Sequence, residues 1–236
     1  AREKSDIFIS KYNNERKRLY LNITSNSENI ILNKANKEKN LKIININKFS
    51  DKYFIKNIIK KKNSYEINFS INKKIINLKN KSPVMFRLMN LLFCYAFFSE
   101  NNLKIEHITK RLKYLKPVEG RGLVNFTIIN KKRIKIFDES YNANPDTMYQ
   151  SIIYFNEINK LDKNKILILG NMNELGKDSY KMHYNLLCQI DKFDFKSVIL
   201  CGEFYRTPIK KLFQPNNNFV FFENPNKIMK FLYKIV

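Results

Sequence analysis

Residues 165–202 read KILILGNMNELGKDSYKMHYNLLCQIDKFDFKSVILCG, and this stretch decides the fold. Lys165–Leu169 (KILIL) is a short apolar run ending at Gly170, and Ser197–Cys201 (SVILC) is a second ending at Gly202. Such runs are expected of strands covered on both faces. The stretch between them, about Asp178–Ile190, predicts a helix. Working outward, Arg133–Phe137 is expected as a preceding strand. Asn144-Pro145 then caps a helix whose Met148, Ile152 and Phe155 share one face. Downstream, Phe219–Phe222 is expected as a fourth strand, followed by a helix from Pro225. Strand and helix in alternation predict α/β architecture: a Rossmann-like, doubly wound, mostly parallel sheet.

The first half is less regular. Residues 41–47 (LKIININ) alternate apolar and polar side chains, as a half-buried strand does. Residues 64–80 predict a hairpin turning near Asn72-Lys73. Ser82-Pro83 starts a helix that runs to about Ser99. It is apolar nearly all round and hence expected to be buried. A second helix, about Ile105–Leu115, ends before Pro117. Residues 116–122 (KPVEGRG) read as an interdomain joint, which predicts domains at 1–116 and 117–236.

Composition narrows the function classes. The 236 residues carry 44 Lys+Arg against 21 Asp+Glu, a formal net charge of +23. The excess is almost all Lys, 36 against 8 Arg, and comes with 34 Asn. Lys, Asn, Ile, Phe and Tyr share AT-rich codons, so base composition explains the charge more simply than nucleic-acid binding, which favours Arg. No specific nucleic-acid partner is expected. No apolar run approaches the ~18 residues of a membrane span, and no signal-peptide pattern opens the sequence. Three cysteines without metal-ligand spacing fit a reducing, cytoplasmic setting better than a disulfide framework. Only five glycines occur, all between Gly120 and Gly202, which directs attention to the second half.

Ligands of open parallel sheets bind beyond the carboxyl ends of the strands. There the chain carries Asp138-Glu139-Ser140-Tyr141-Asn142-Ala143-Asn144-Pro145, and then Gly170-Asn171-Met172-Asn173-Glu174-Leu175-Gly176. Both lead into helix N-termini, which favour anions. A carboxylate such as Asp138 can accept hydrogen bonds from a ribose diol. Tyr141 can lie against a flat base, and Arg121 can fork onto a phosphate.

GRG at 120–122, DESYNANPDTM at 138–148, LGNMNELG at 169–176 and a downstream His183 together resemble the Mur ligase family. The likeness is close over 118–202. The opening residues 1–8 also resemble a helix of that family's central ATPase-type domain. The SYNANP wording is similar to the member that adds D-alanyl-D-alanine to UDP-N-acetylmuramoyl-tripeptide. The resemblance implies an ATP-dependent amide-bond ligase of peptidoglycan precursor synthesis, a monomer in the cytoplasm with no membrane partner. The tripeptide carboxylate becomes an acyl phosphate, which the dipeptide amine attacks. ATP and Mg2+ are the implied cofactors. Arg121 would face the ATP phosphates in a catalytic role and Asp138 would take the ribose hydroxyls. Tyr141, Asn142 and Asn144 would line or shape the nucleotide site, and Asn90 would lie near the adenine. Asn171, Glu174 and His183 would sit toward the incoming dipeptide or a domain interface.

The sequence departs from the family pattern in places. No G-x-x-x-x-G-K-[ST] phosphate loop occurs, and Gly170–Lys177 mimics one with the wrong spacing. The resemblance implies that this loop and the magnesium ligands lie upstream, so that the chain is the rear part of a central domain plus a C-terminal domain and inactive alone. Phe86 stands where the family has a His, and Asn171 where it has an Asp. Plainer roles also stay open: a backbone-bonded buried Asn90, a joint salt bridge for Arg121, a surface-helix His183. So do a non-catalytic remnant, a ligase adding a single amino acid, and a basic domain associating with nucleic acid.

Overall fold

The computed structural model describes residues 17–22, 31–33, 35–37, 41–46, 52–62, 64–80, 85–112, 118–212 and 214–236. The chain divides into two compact units, Ala1–Tyr114 and Leu115–Val236. The expectations for residues 1–8, for the Ser82-Pro83 cap and for Phe86 fall outside the described residues and side chains.

In the first unit a five-stranded sheet runs β1 (Lys17–Asn22), β2 (Leu41–Ile46), β3 (Tyr53–Lys60), β4 (Tyr65–Ile71), β5 (Lys74–Asn80), in that spatial order. β1, β2 and β3 are parallel neighbours, and β3, β4 and β5 pair antiparallel. The β4–β5 hairpin turns at Asn72-Lys73, with φ of 48° and 68°. Two successive left-handed residues match the right-handed twist of the strands they join. Helix α1 (Met85–Glu100) lays Leu88, Met89, Leu92, Tyr95 and Ala96 onto Ile67, Phe69 and Ile71. That spacing is a helical stripe, and it corrects the expectation of a helix buried all round. Asn90 and Cys94 are exposed, and Phe97 keeps half of its surface in solvent. One sheet face can cover only one side of a cylinder. Helix α2 (Ile105–Leu112) packs Ile105, Ile108 and Leu112 on the same core.

The second unit opens with a hairpin, β6 (Leu123–Ile129) and β7 (Lys132–Asp138), joined at Asn130-Lys131 with φ of 50° and 63°. Then come α3 (Pro145–Ile158), β8 (Ile166–Leu169), α4 (Ser179–Ile190), β9 (Ser197–Cys201), α5 (Arg206–Lys210), β10 (Phe219–Phe222) and α6 (Asn226–Ile235). β10, β9 and β8 form a three-stranded parallel sheet in that order. The central strand β9 is buried on both faces, which is why it reads as an unbroken apolar run. Leu167, Leu169, Val198 and Leu200 meet Ile152 of α3 and Leu186, Leu187 and Ile190 of α4. Ile199 meets Ile228 and Leu232 of α6. Helices thus cover both faces of an α/β sheet, as expected. The expected first strand of that sheet is placed differently. Arg133–Phe137 lies in β7, whose pairing partner is the preceding β6 in a separate two-stranded sheet. A two-residue turn makes that local pairing cheap in loop entropy.

Candidate functional site

The GRG turn and the loop after β7 are stitched together by backbone. Gly122 N–H donates to the Asp138 carbonyl at 2.7 Å, extending the β6–β7 ladder by one step. Tyr141 N–H donates to the Gly120 carbonyl at 3.1 Å, and Arg121 N–H to the Val118 carbonyl at 2.9 Å. Gly120 has φ of +72°, and a Cβ there would lie 2.9 Å from both Cβ and N of Tyr141. Only glycine permits that approach and that φ together.

Asp138 is the acceptor at the centre of this knot. One carboxylate oxygen, Oδ2, takes Gly120 N–H at 2.9 Å. The other, Oδ1, takes Ser140 N–H at 3.1 Å and Ser140 Oγ–H at 2.6 Å. The Ser140 hydroxyl and then its N–H hold the carboxyl below its ordinary value, against an opposing effect of burial, and Gly120 N–H adds the weakest contribution in the same lowering sense. Asp138 is therefore a carboxylate at neutral pH. The Asp-x-Ser spacing is the turn-forming pattern that could have revealed Ser140 in the sequence.

Arg121 stands on this turn with its guanidinium carbon 4.0 Å from the centroid of the Tyr141 ring. Tyr141 is 67% exposed and Arg121 is exposed too. The result is a flat cationic plate facing solvent beside an ionised carboxylate. Asn142 is exposed next to it. Asn144 is committed locally: its Oδ1 accepts Thr147 N–H at 3.0 Å as the N-cap of α3, with Pro145 opening the helix. The structure therefore brings Arg121, Asp138 and Tyr141 together, while Asn90 lies on α1 of the other unit.

The loop after β8 is organised by a different set. His183 is fully buried. Its Nε2 accepts Met172 N–H at 3.1 Å, and its Nδ1 lies 2.7 Å from the Ser179 carbonyl. His183 is thus an interior residue of this unit, which overturns the surface-helix alternative. Asn171 Oδ1 accepts Phe204 N–H at 3.3 Å. Glu174 is exposed at the loop tip with φ of +61°. Tyr205, which sequence reading missed, is fully buried and donates its hydroxyl to the Gly170 carbonyl at 3.1 Å.

Burial pushes His183 below its ordinary 6.5, opposed by the bond to the Ser179 carbonyl. Below pH 6.5 the unfolded chain binds a proton that the native imidazole resists. The stabilisation is therefore complete above that pH and declines as pH falls toward the native pKa. Urea unfolding of the wild type should lose stability below pH 6.5 more steeply than that of His183→Gln. Parallel pH profiles would refute the buried neutral imidazole.

No protein-family model matches the chain. Two curated proteins do, both named UDP-N-acetylmuramoyl-tripeptide–D-alanyl-D-alanine ligase. The one from Treponema pallidum (strain Nichols) is 25% identical over 130 residues, covering 55% of this chain and 27% of the relative. The one from Rickettsia prowazekii (strain Madrid E) is 29% identical over 132 residues, covering 56% and 25%. Among solved structures, MurF from Acinetobacter baumannii superposes with a TM-score of 0.74 at 18% identity, covering 99% of this chain and 48% of that one. MurF ligase from Thermotoga maritima, in complex with ADP, gives 0.69 at 18% identity, covering 99% and 51%. The chain thus spans about a quarter of the length of the curated relatives it matches and about half that of the solved chains. The chain is thus similar in sequence to these ligases over just above half of its length, and shares the fold of the solved MurF chains along nearly all of it.

Proposed function

We propose that this chain is part of an ATP-dependent ligase that joins D-alanyl-D-alanine to UDP-N-acetylmuramoyl-tripeptide in peptidoglycan precursor synthesis. The observation that carries the reading is the Arg121–Tyr141–Asp138 knot, a cationic plate and a carboxylate held on one rigid turn. The curated relatives bear the name of that activity, and the Thermotoga maritima neighbour is a complex with ADP.

In this reading Asp138 takes the ribose hydroxyls. Oδ2 has one hydrogen bond from the loop and keeps a lone pair for such a donor. Arg121 faces the phosphates and steadies charge that develops as phosphate moves to the tripeptide carboxylate. Tyr141 and Asn142 line the nucleotide, and Asn144 fixes the loop by capping α3. Asn90, exposed on α1, is the adenine-side residue. Asn171 and Glu174 face the dipeptide, whose amine attacks the acyl phosphate. Described residues contain no group of three His, Cys, Asp or Glu able to hold a metal ion, so none of them is assigned to Mg2+. No described helix is long and apolar enough to cross a membrane. The reading places a monomeric enzyme in the cytoplasm.

The test is made on the full-length gene product. It is incubated with ATP, Mg2+, UDP-N-acetylmuramoyl-tripeptide and D-alanyl-D-alanine, with phosphate release and product mass as readouts. The expected result is phosphate in step with the pentapeptide product. Product formed only with a single amino acid would transfer the protein to a neighbouring activity, and no product with any amine would end the ligase reading.

A further inference from the structure

The hydrogen bonds around His183 admit a single protonation state. The Ser179 carbonyl can only accept, so Nδ1 must carry a proton. Met172 N–H can only donate, so Nε2 must be bare. The imidazole thus spans from the first turn of α4 to the backbone of the loop after β8.

A second tie runs from that loop to the loop after β9. The Tyr205 hydroxyl holds Gly170, and Asn171 Oδ1 holds Phe204 N–H. The Tyr205 ring meets the His183 ring edge-on at 4.7 Å, and Phe204 lies 5.6 Å from it. A Cβ on Gly202 would come within 2.3 Å of Asn171 Oδ1, so the Asn171 side chain lies directly against the bare Gly202 backbone. Met172 is buried while its neighbours Asn173 and Glu174 are exposed. One inward residue thus anchors an outward-facing polar edge.

We propose that His183 is a positioning residue: as a neutral Nδ1–H imidazole it latches the loop after β8 onto the first turn of α4, beside the ties that Tyr205 and Asn171 make to the loop after β9, presenting Asn171–Glu174 as one preformed edge to the amine-bearing substrate. The substrate clause rests on the ligase reading above, and the latch itself does not. The side chain is fully buried and contacts no reacting atom, so its effect runs through Met172 and the loop. Without Nε2, the Met172 N–H is left buried and unpaired, and the loop opens more often.

The test compares wild type, His183→Phe and His183→Gln in the full-length protein. Phe fills the volume without the acceptor, whereas the Gln carbonyl restores an acceptor for Met172 N–H. Amide hydrogen exchange should be roughly tenfold faster at residues 171–174 in the Phe variant, the equivalent of one net hydrogen bond, and should recover in the Gln variant. Histidine 15N spectra of the wild type should show the Nδ1–H tautomer. KM for D-alanyl-D-alanine should rise in the Phe variant while KM for ATP holds. An Nε2–H tautomer, or exchange that is equal in all three proteins, overturns the latch. So does a Gln variant as impaired as Phe. An unchanged dipeptide KM beside faster loop exchange overturns the substrate-presenting role. Wild type that is inactive with every amine removes the ligase reading, and the exchange and tautomer results still decide the latch.

Discussion

Arg121→Ala should lower ATP-dependent amide formation by about 10²–10³-fold, the usual cost of removing one preorganised donor from developing transition-state charge. Its melting temperature should stay near that of the wild type. The side chain is exposed, its guanidinium rests on an equally exposed Tyr141 ring, and the turn beneath it is tied by backbone bonds. Arg121→Lys keeps a charge but loses the planar fork that stacks on the ring and grips two oxygens at once. It should recover part of the activity, and kcat should respond more than the KM for the tripeptide. Steady-state kinetics on the full-length protein, paired with thermal melts, separate the two readings of this residue. Full activity with a lowered melting temperature would make Arg121 a joint residue and nothing more.

The second large effect is structural. Gly120→Ala should destabilise the protein by roughly 2–4 kcal/mol, combining about 1–2 kcal/mol for a left-handed alanine with the cost of forcing neighbouring atoms apart. The added methyl group would sit 2.9 Å from Tyr141 N and Cβ, and backbone cannot step aside as a flexible side chain can. The same displacement breaks the Gly120 N–H bond to Asp138 and the Tyr141 N–H bond to Gly120. Nucleotide affinity should therefore fall along with stability. Gly170→Ala is the control: a Cβ there meets nothing within 4 Å, and it should cost little or stabilise slightly. Urea midpoints measured for both variants decide the matter. Equal midpoints would mean that the turn yields to a methyl group and that Gly120 is not required for it.

The parts of this molecule legible in the sequence are those with a local cause. Ser197–Cys201 is a strand at the expected residues, because a strand buried on both faces reads as a nearly continuous apolar run, and the partly buried edge strand Phe219–Phe222 is apolar throughout. The Asn72-Lys73 turn was legible because Asn tolerates a left-handed backbone. What stayed hidden depends on tertiary partners. β7 was recognisable as a strand, but its membership of a separate hairpin depended on Leu123–Ile129, where polar Asn125 and Thr127 blur the apolar run. His183 gave no sign of burial, since a lone histidine on a helix looks the same whether it meets water or Met172. The exposure of Asn90 was not legible because the surrounding apolar residues exceed what one sheet face can cover. In the candidate site the Arg121–Tyr141 contact brings together two residues named beforehand. Ser140 and Tyr205 were overlooked, because a supporting hydroxyl has no motif of its own beyond a short turn pattern.

The left-handed turns carry a consequence for the molecule's evolution. Among the described residues, seven non-glycine positions hold a positive φ: Asn72, Lys73, Asn102, Asn130, Lys131, Glu174 and Gln214. Each sits where glycine would rest without steric penalty, and two lysines occupy the second corner of a hairpin. Five of the seven are Asn or Lys, residues of AT-rich codons, held in torsion angles that glycine would adopt at lower cost. Replacing Lys73 and Lys131 by glycine offers a route to a sturdier protein that leaves the proposed chemistry untouched.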